Sequence, residues 1–433
     1  MKNKKIAYVG LSADILHEGH INIMKIANSY GDVIVGLLTD EAIASYKNVP
    51  YLDFKQRKIV LENMKYVNKV IPQKTLDYVE NLNLIKPDYV VHGDDWKYGV
   101  QKITRDRVLK TLKKWSGKLI EPKYTKNISS TLIKNKISQV LLPKNRVSRL
   151  KRLISSKDIV RIIESHNSLT GLIIENLIVN KKNENKEFDG MWSSSLTDSA
   201  TKGMPDNSSV DFSTRLSSLN SMMEVTSKLL VFDADNGGQL EHLPFLVRSL
   251  ERLGVSAIIM EDKIGLKKNS LFKNQSDTKQ DKPLLFAKKI KQICKARKNK
   301  DFMVIARIES FIVGKGLKDA LKRAEIYSKA GADAILIHSK EKTPAEIFSF
   351  AKKFRKSKNF IPLVSVPSTY SKVYEKDLIK NGFKLVIYAN QLLRAAYPAM
   401  QYAARKILEK SRAFEAEKKI IPIKEIINLI KND

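Results

Sequence analysis

Cysteine is almost missing from this 433-residue chain, and acids are scarce beside bases. The one cysteine, Cys294, has no partner within the chain, which excludes an intramolecular disulfide and a zinc cage built on thiolates. No run of about 20 apolar residues occurs. The basic N-terminal start leads only into a short apolar run broken by Asp14, His17 and Glu18, so neither a signal peptide nor a membrane span is expected. A reducing cytoplasm is the expected location. Glycine (18) and proline (13) are neither enriched nor periodic and 43% of residues are hydrophobic, which excludes collagenous, coiled-coil and disordered classes. Single cores stop growing near roughly 250–300 residues, so two or three domains are expected.

The shortage of acids leaves 78 Lys+Arg against 46 Asp+Glu, a net charge of +32. Most of the excess is lysine, spread along the whole chain without interleaved aromatic repeats. That pattern points to small anionic substrates rather than nucleic acid.

Residues 5–140 alternate between apolar β-branched runs and helical patterns: KIAYVGLSAD, then INIMKIANSY, then DVIVGLLTD, with YVNKVIPQ and PDYVVHGDD following. This is the βαβ pattern of a parallel sheet, whose ligands sit beyond the carboxyl ends of the strands. Residues 1–140 are therefore expected to form a nucleotide-sized α/β domain. From Lys134 to Lys157 the chain is basic without an acid and is interrupted by Pro143. We read 141–157 as a partly helical linker.

A second alternation follows: GLIIENL, a loop around MWSSSLTD, then KLLVFDADNGG, VSAIIMEDK, MVIARIES, ADAILIHSK, IPLVSVPST and KLVIYANQ. Six or more strands separated by helix-length stretches predict a (β/α)8 barrel over 147–433 with C-terminal helices. Asp233, Asp235, Glu261, Asp262, Arg307, Glu309 and His338 all fall at the carboxyl ends of these strands, where a barrel places its chemistry.

Three motifs carry chemistry. His17-Glu18-Gly19-His20 follows a strand and opens a helix, so two imidazoles and a helix N-terminus meet at one point suited to a phosphoryl group; two capping histidines would give the same pattern. Asp233 and Asp235 stand two apart in DADNGG, a spacing that on a strand puts both carboxylates on one face, suited to magnesium. A strand-end turn punctuated by Asn236-Gly237-Gly238 is the alternative. In EDKIGLKKNS, Glu261 and Asp262 end a strand and a Lys-rich, Gly-containing stretch follows, as in a covering loop able to bring Lys267, Asn269 and Ser270 onto a phosphate. His166 falls on a helical pattern and reads as a structural, hydrogen-bonded residue. His242 is near enough to the DADNGG turn to support it, and His92 reads as shaping a pocket.

Residues 5–140 resemble the glycerol-3-phosphate cytidylyltransferase type of nucleotidylyltransferase, with its Rossmann-like fold. The matching pieces are Asp14 with HEGH, GLLTDE at 36–41, QRKIVLE at 56–62, HGDDW at 92–96 and ISSTLIK at 128–134. The resemblance implies that His17 and His20 stabilise the transition state at the α-phosphate of CTP beside Asp14, that Lys47 neutralises phosphate charge, and that Ser129, Ser130 and Thr131 cradle phosphate. Tyr124 stands where the family usually has an Arg, so one phosphate contact is absent or moved to Lys126, and the acceptor is open.

Residues from about 147 to 430 resemble phosphoenolpyruvate mutase, of the isocitrate lyase superfamily, through GMWSSSLTDSA, the Asp206 loop, FDADNGG, EDK-x5-NS, ARIESF, AGADAILIHSK and VIYANQLLRAA. Lyase relatives carry a Cys in the covering loop, and phosphonopyruvate hydrolase relatives tend to lose the Asn, present here as Asn269. The resemblance implies magnesium anchored by Asp233, with Asp235, Glu261 and Asp206 as outer ligands through water. It also implies that Ser194, Asn269, Arg307 and His338 grip the phosphoryl group, that backbone at Ser195 and Leu196 holds the carboxylate, and that Trp192 walls the pocket. Ser195 replaces a common Gly, and Asn236-Gly237-Gly238-Gln239 replaces a longer turn.

The expected function is interconversion of phosphoenolpyruvate and phosphonopyruvate, with transfer of CMP from CTP to a small phosphonate, in a homodimer or homotetramer without nucleic-acid or membrane partners. The alternatives are a phosphonopyruvate hydrolase barrel, or an N-terminal domain that is inactive or uses another phosphorylated alcohol.

Overall fold

The computed structural model describes residues 4–45, 49–97, 102–123, 143–181, 184–265, 267–271, 275 and 278–429. Lys47, Tyr124, Lys126, Ser129, Ser130 and Thr131 lie outside the described residues.

The first unit is a five-stranded parallel sheet of β1 (Ile6–Leu11), β2 (Asp32–Leu38), β3 (Lys69–Gln73), β4 (Tyr89–Val91) and β5 (Lys118–Ile120), in the order β3-β2-β1-β4-β5. Its central strands are buried on both faces, which explains their near-continuous apolar runs. Gly36 is bare because a Cβ there would stand 1.7 Å from the Tyr8 hydroxyl lying across it. The order reverses between β1 and β4, and the carboxyl ends of those two strands carry HEGH and HGDDW, the place where an open α/β sheet binds its ligand.

The second unit is a closed barrel of eight parallel strands: Val160–Glu164, Gly190–Ser193, Leu229–Asp233, Ala257–Glu261, Met303–Ile308, Ala334–Ile337, Leu363–Ser365 and Phe383–Tyr388. Alternation along each strand splits the core into two shells. Val160, Ile162, Leu229, Val231, Ile259, Ile305, Leu336 and Leu385 fill the barrel, while Phe232, Ile258, Met260 and Val304 face the surrounding helices.

Two strand expectations are corrected. GLIIENL belongs to the helix Ser168–Asn176, started by a capping box in which the Asn167 side chain accepts from the Thr170 amide at 2.9 Å. The first barrel strand is the preceding Val160–Glu164, and Gly190–Ser193, read as loop, is the second. His166 accordingly stands just before that helix's cap, buried, with Nδ1 2.9 Å from Glu164 Oε2. Within the stretch read as a linker, the described residues form a helix from Pro143 to Val147.

That helix and the next, Arg149–Ser156, close the amino-terminal end of the barrel. Arg146 donates to the carbonyls of Met223 and Thr226, Arg149 to that of Ser227, and Ser256 Oγ to the carbonyl of Arg146, all just ahead of barrel strands. Leu150, Leu153 and Ile154 plug the barrel from beneath, and Ala44 and Val49 of the first unit share their cluster. Among the described residues no helix is long and apolar enough to cross a membrane.

Candidate active sites

At the carboxyl end of the barrel one cavity is lined by Trp192, Ser194, Ser195, Leu196, Asp206, Asp233, Glu261, Lys267, Asn269, Ser270, Arg307 and His338. Asp235 adjoins it by a route different from the one expected. The strand ends at Asp233, and Asp235 sits in a left-handed turn at φ +52°, a conformation that costs a non-glycine residue about 1–2 kcal/mol. The turn brings its carboxylate back: Lys267 Nζ contacts Asp235 Oδ1, lies 2.7 Å from Asp206 Oδ1 and contacts Ser195 Oγ. The Ser195 hydroxyl, absent from a glycine, also donates to Asp233 Oδ2 at 3.1 Å. Burial opposes charge on Lys267, but Asp233, Asp235, Asp206 and Glu261 outweigh it and hold its pKa above the ordinary lysine value. Burial likewise opposes charge on Asp233, and Lys267, Arg215 and Arg307 override it, keeping the carboxyl ionised. Asp206 and Asp235 thus flank the ammonium directly, with Asp233 reached through Ser195. Among the described residues, no three His, Cys, Asp or Glu side chains stand together as a ready metal-ligand set.

A second cluster grips Arg307. Its Nε donates to Glu309 Oε1 at 2.5 Å, and its Nη2 lies 3.3 Å from Glu261 Oε2 and 3.0 Å from His338 Nδ1. His338 Nδ1 is also 3.0 Å from Glu309 Oε1. Burial, followed by the Arg307 charge, lowers the His338 pKa, so the ring is neutral near pH 7. Burial pushes Glu261 up to about 7 despite the opposing charges of Arg307 and Lys263.

The covering stretch rests on both clusters. Asn269 Nδ2 donates to Asp206 Oδ2 at 2.8 Å, and Ser270 Oγ donates to Glu309 Oε2 at 2.6 Å while accepting from Lys263 and Arg307. Ser270 therefore anchors the loop in this arrangement.

Sequence reasoning missed Lys263, buried 3.3 Å from Glu261 and 3.6 Å from Glu309, as a member of the cluster. It also missed Arg215, which pairs with Asp198 at 2.9 Å and stands 3.8 Å from Asp235. Lys263 could have been found as a lysine beside two strand-end carboxylates; Arg215 lies in the first turn of helix Phe212–Glu224 with no local signal. His242, expected near the turn, is exposed at the end of a short 3-10 helix.

In the first unit His17 caps helix Glu18–Tyr30. Its Nδ1 accepts from the Gly19 amide at 3.2 Å, and His20 Nδ1 accepts from the His17 amide at 3.3 Å. With both Nδ1 atoms accepting, each neutral ring carries its proton on Nε2. Burial lowers the His17 pKa against the pull of Glu18. The rings lie 4.0 Å apart. Asp14 is buried, its Oδ1 accepting from the amides of Tyr51 and Leu52 at 2.6 and 3.2 Å. His92 stacks on Trp96 at 3.9 Å with the planes 8° apart, a wall beside the switch point.

Residues 150–408 match the family model for phosphoenolpyruvate phosphomutase, and residues 8–136 the cytidylyltransferase-like model. The phosphoenolpyruvate phosphomutase of Tetrahymena pyriformis is 36% identical over 305 residues, covering 70% of this chain and 97% of its own. The glycerol-3-phosphate cytidylyltransferase of Staphylococcus aureus is 35% identical over 126 residues, 29% of this chain and 88% of its own. A solved phosphonopyruvate hydrolase, in complex with oxalate and Mg++, shares 32% identity at a TM-score of 0.58, covering 66% of this chain and 94% of that one. Through its barrel the chain belongs to the phosphoenolpyruvate phosphomutase family, and it carries a cytidylyltransferase-like domain ahead of that barrel.

Proposed function

We propose that the barrel isomerises phosphoenolpyruvate to phosphonopyruvate with magnesium, and that the N-terminal domain transfers CMP from CTP to a small phosphonate. The observation that carries the mutase reading is the single cavity joining Asp233, Arg307 and His338 to a covering stretch that retains Asn269. The same Asn269, with no loop cysteine, separates this reading from the hydrolase and lyase alternatives.

The carboxylates around the Lys267 ammonium are hard oxygen donors and fit magnesium. Asp233 would anchor it, with Asp235, Glu261 and Asp206 acting through water, and the ion would neutralise charge on the substrate's oxygens. The chain's own side chains then do the positioning. Ser194, Asn269, Arg307 and His338 hold the phosphoryl group, with Arg307 set in place by Glu309. His338 Nδ1 lies 3.0 Å from both Arg307 Nη2 and Glu309 Oε1: accepting from Arg307 leaves Nε2 to donate to the phosphoryl group, whereas donating to Glu309 leaves Nε2 an acceptor. Backbone at Ser195 and Leu196 holds the carboxylate, and Trp192 walls the pocket. The bond from phosphorus to the enol oxygen breaks, a bond from phosphorus to C3 forms, and the enol oxygen becomes the keto oxygen. Such a loose transfer depends on charge and position, without a side-chain nucleophile. Asn269 and Ser270, seated on Asp206 and Glu309, help keep water out.

In the N-terminal domain His17 and His20 stabilise charge at the α-phosphate from the helix start at the switch point, beside Asp14. The two sites lie at opposite ends of the barrel, because the first unit docks beneath it. Direct hand-over is therefore not part of the reading, and phosphonopyruvate must lose its carboxylate and be reduced or aminated elsewhere before it can accept CMP. The test is pyrophosphate release from CTP with 2-hydroxyethylphosphonate, 2-aminoethylphosphonate and glycerol phosphate in parallel. A phosphonate preferred over glycerol phosphate supports the acceptor class, and the reverse order rejects it.

A further inference from the structure

Arg152 sits on the helix that plugs the barrel from beneath, yet its guanidinium reaches into the other unit. Nη1 donates to the carbonyl of Tyr51 at 2.7 Å and Nη2 to the carbonyl of Pro50. The amides of Tyr51 and Leu52 in turn donate to Asp14 Oδ1 at 2.6 and 3.2 Å. The carbonyl of Leu52 accepts from Arg57 Nε at 3.1 Å, and Arg57 Nη1 donates to the carbonyls of Ser12 and Leu38 at 2.5 and 2.9 Å. Residues 50–52 are thus held from the barrel on one side and tied on the other to the segment after β1, in which Asp14 precedes His17 by three positions. Ala44 and Val49, packed with Leu150, Leu153 and Ile154, hold the approach to this bridge. That segment is under strain of its own, with Ala13 at φ +50°, so it depends on outside contacts to keep its shape.

We infer that Arg152, a residue of the barrel, is a positioning residue for nucleotidyl transfer. It fixes the 50–52 loop and through it the Asp14 segment that leads into HEGH. The inference rests on the transferase reading. It makes the barrel a structural part of the first active site, and so assigns the contact between the two units a role in that reaction. Arg152 meets the two carbonyls with two separate nitrogens held in one plane, a reach and geometry that the single ammonium of lysine does not reproduce, so lysine is an incomplete replacement.

The test uses the full chain with Arg152→Ala and Arg152→Lys. Hydrogen exchange is read in peptides covering 10–16 and 49–53, and the steady-state kinetics of both reactions are measured. Arg152→Ala should speed exchange in both peptides while leaving the barrel strands unchanged. It should lower kcat/KM for CTP about tenfold or more, since small misplacements of reacting groups cost up to about 10²-fold. Mutase activity should stay within about twofold, and Arg152→Lys should recover only part of the loss. Faster exchange at 49–53 with none at 10–16, or unchanged CTP kinetics, would reduce Arg152 to glue between domains and overturn the inference. If the wild type turns over no CTP with any acceptor, the transferase reading fails by itself. The exchange at 10–16 then decides the coupling: acceleration supports it and its absence rejects it.

Discussion

Asn269 Nδ2 donates to Asp206 Oδ2 at 2.8 Å, joining a residue of the covering loop to one 63 positions earlier. Lys267, two residues before Asn269, lies 2.7 Å from the other oxygen of the same carboxylate. Asp206 thus holds two residues of the loop, one of them the Asn269 that the mutase reading assigns to the phosphoryl group, and the second N–H of the Asn269 amide is left to face a substrate oxygen.

Asn269→Ala is expected to lower the interconversion rate about 10²-fold, the scale of losing one donor to a transition-state oxyanion. Because Asn269 also seats the loop, inorganic phosphate should form a larger share of the product. Phosphate and phosphoenolpyruvate measured in one reaction check this, and an unchanged product ratio with an unchanged rate contradicts it.

Asp233→Ala is expected to abolish interconversion and to weaken Mn2+ binding measured in the absence of substrate. Near-normal activity in this variant would remove Asp233 from the metal assignment.

His17→Ala and His20→Ala should each slow CMP transfer by about 10²-fold or more and leave the barrel's activity intact. Unchanged transfer rates in both variants would place the chemistry elsewhere.

Glu121 accepts from Arg105 at 2.7 and 2.9 Å and from Trp96 at 2.8 Å. The Arg105 hydrogen bond, against the effect of burial and helped by Trp96, lowers its pKa from the ordinary 4.5 to about 2. The folded value lies below the unfolded one, so the stabilisation is present in full above pH 4.5 and disappears as pH falls toward 2. Glu121→Gln should therefore destabilise the first unit by about 2 kcal/mol at neutral pH. The gap from wild type in thermal melts should narrow across that acid window, and a gap of equal size at pH 3 and pH 7 would contradict the account.

Assembly into an oligomer is expected from the C-terminal end, where Leu408, Phe414, Ile423, Ile426 and Ile427 are exposed. Such a stretch of apolar surface requires cover. Light scattering at micromolar concentration should give a dimer or tetramer, and a monomer would contradict the assignment.

Six of the eight barrel strands were legible because each is an apolar run closed by polar, charged or loop-forming residues. Val160–Glu164 was not, since Arg161 interrupts it and the helix that follows is the more apolar of the two. Gly190–Ser193 is too short and too poor in β-branched residues to stand out. The strand-end charges of the site were visible in advance because the barrel's geometry fixes where strands stop. Asp235 was placed on the right side for the wrong reason, since a left-handed turn supplies what strand alternation was expected to give. Arg215 and the Asp206 contacts of the loop were invisible because they are pairings between distant segments. Arg152 carries no motif, and its reach toward Tyr51 exists only once the two units are docked.

The most direct measurement is phosphorus NMR of the purified full-length protein given phosphonopyruvate and magnesium, the mutase equilibrium being expected to lie toward phosphoenolpyruvate. The account predicts that the phosphonate resonance is replaced by that of phosphoenolpyruvate, with inorganic phosphate only as a minor product. Inorganic phosphate as the sole product would make the barrel a hydrolase, and an unchanged phosphonate signal would contradict the mutase assignment altogether.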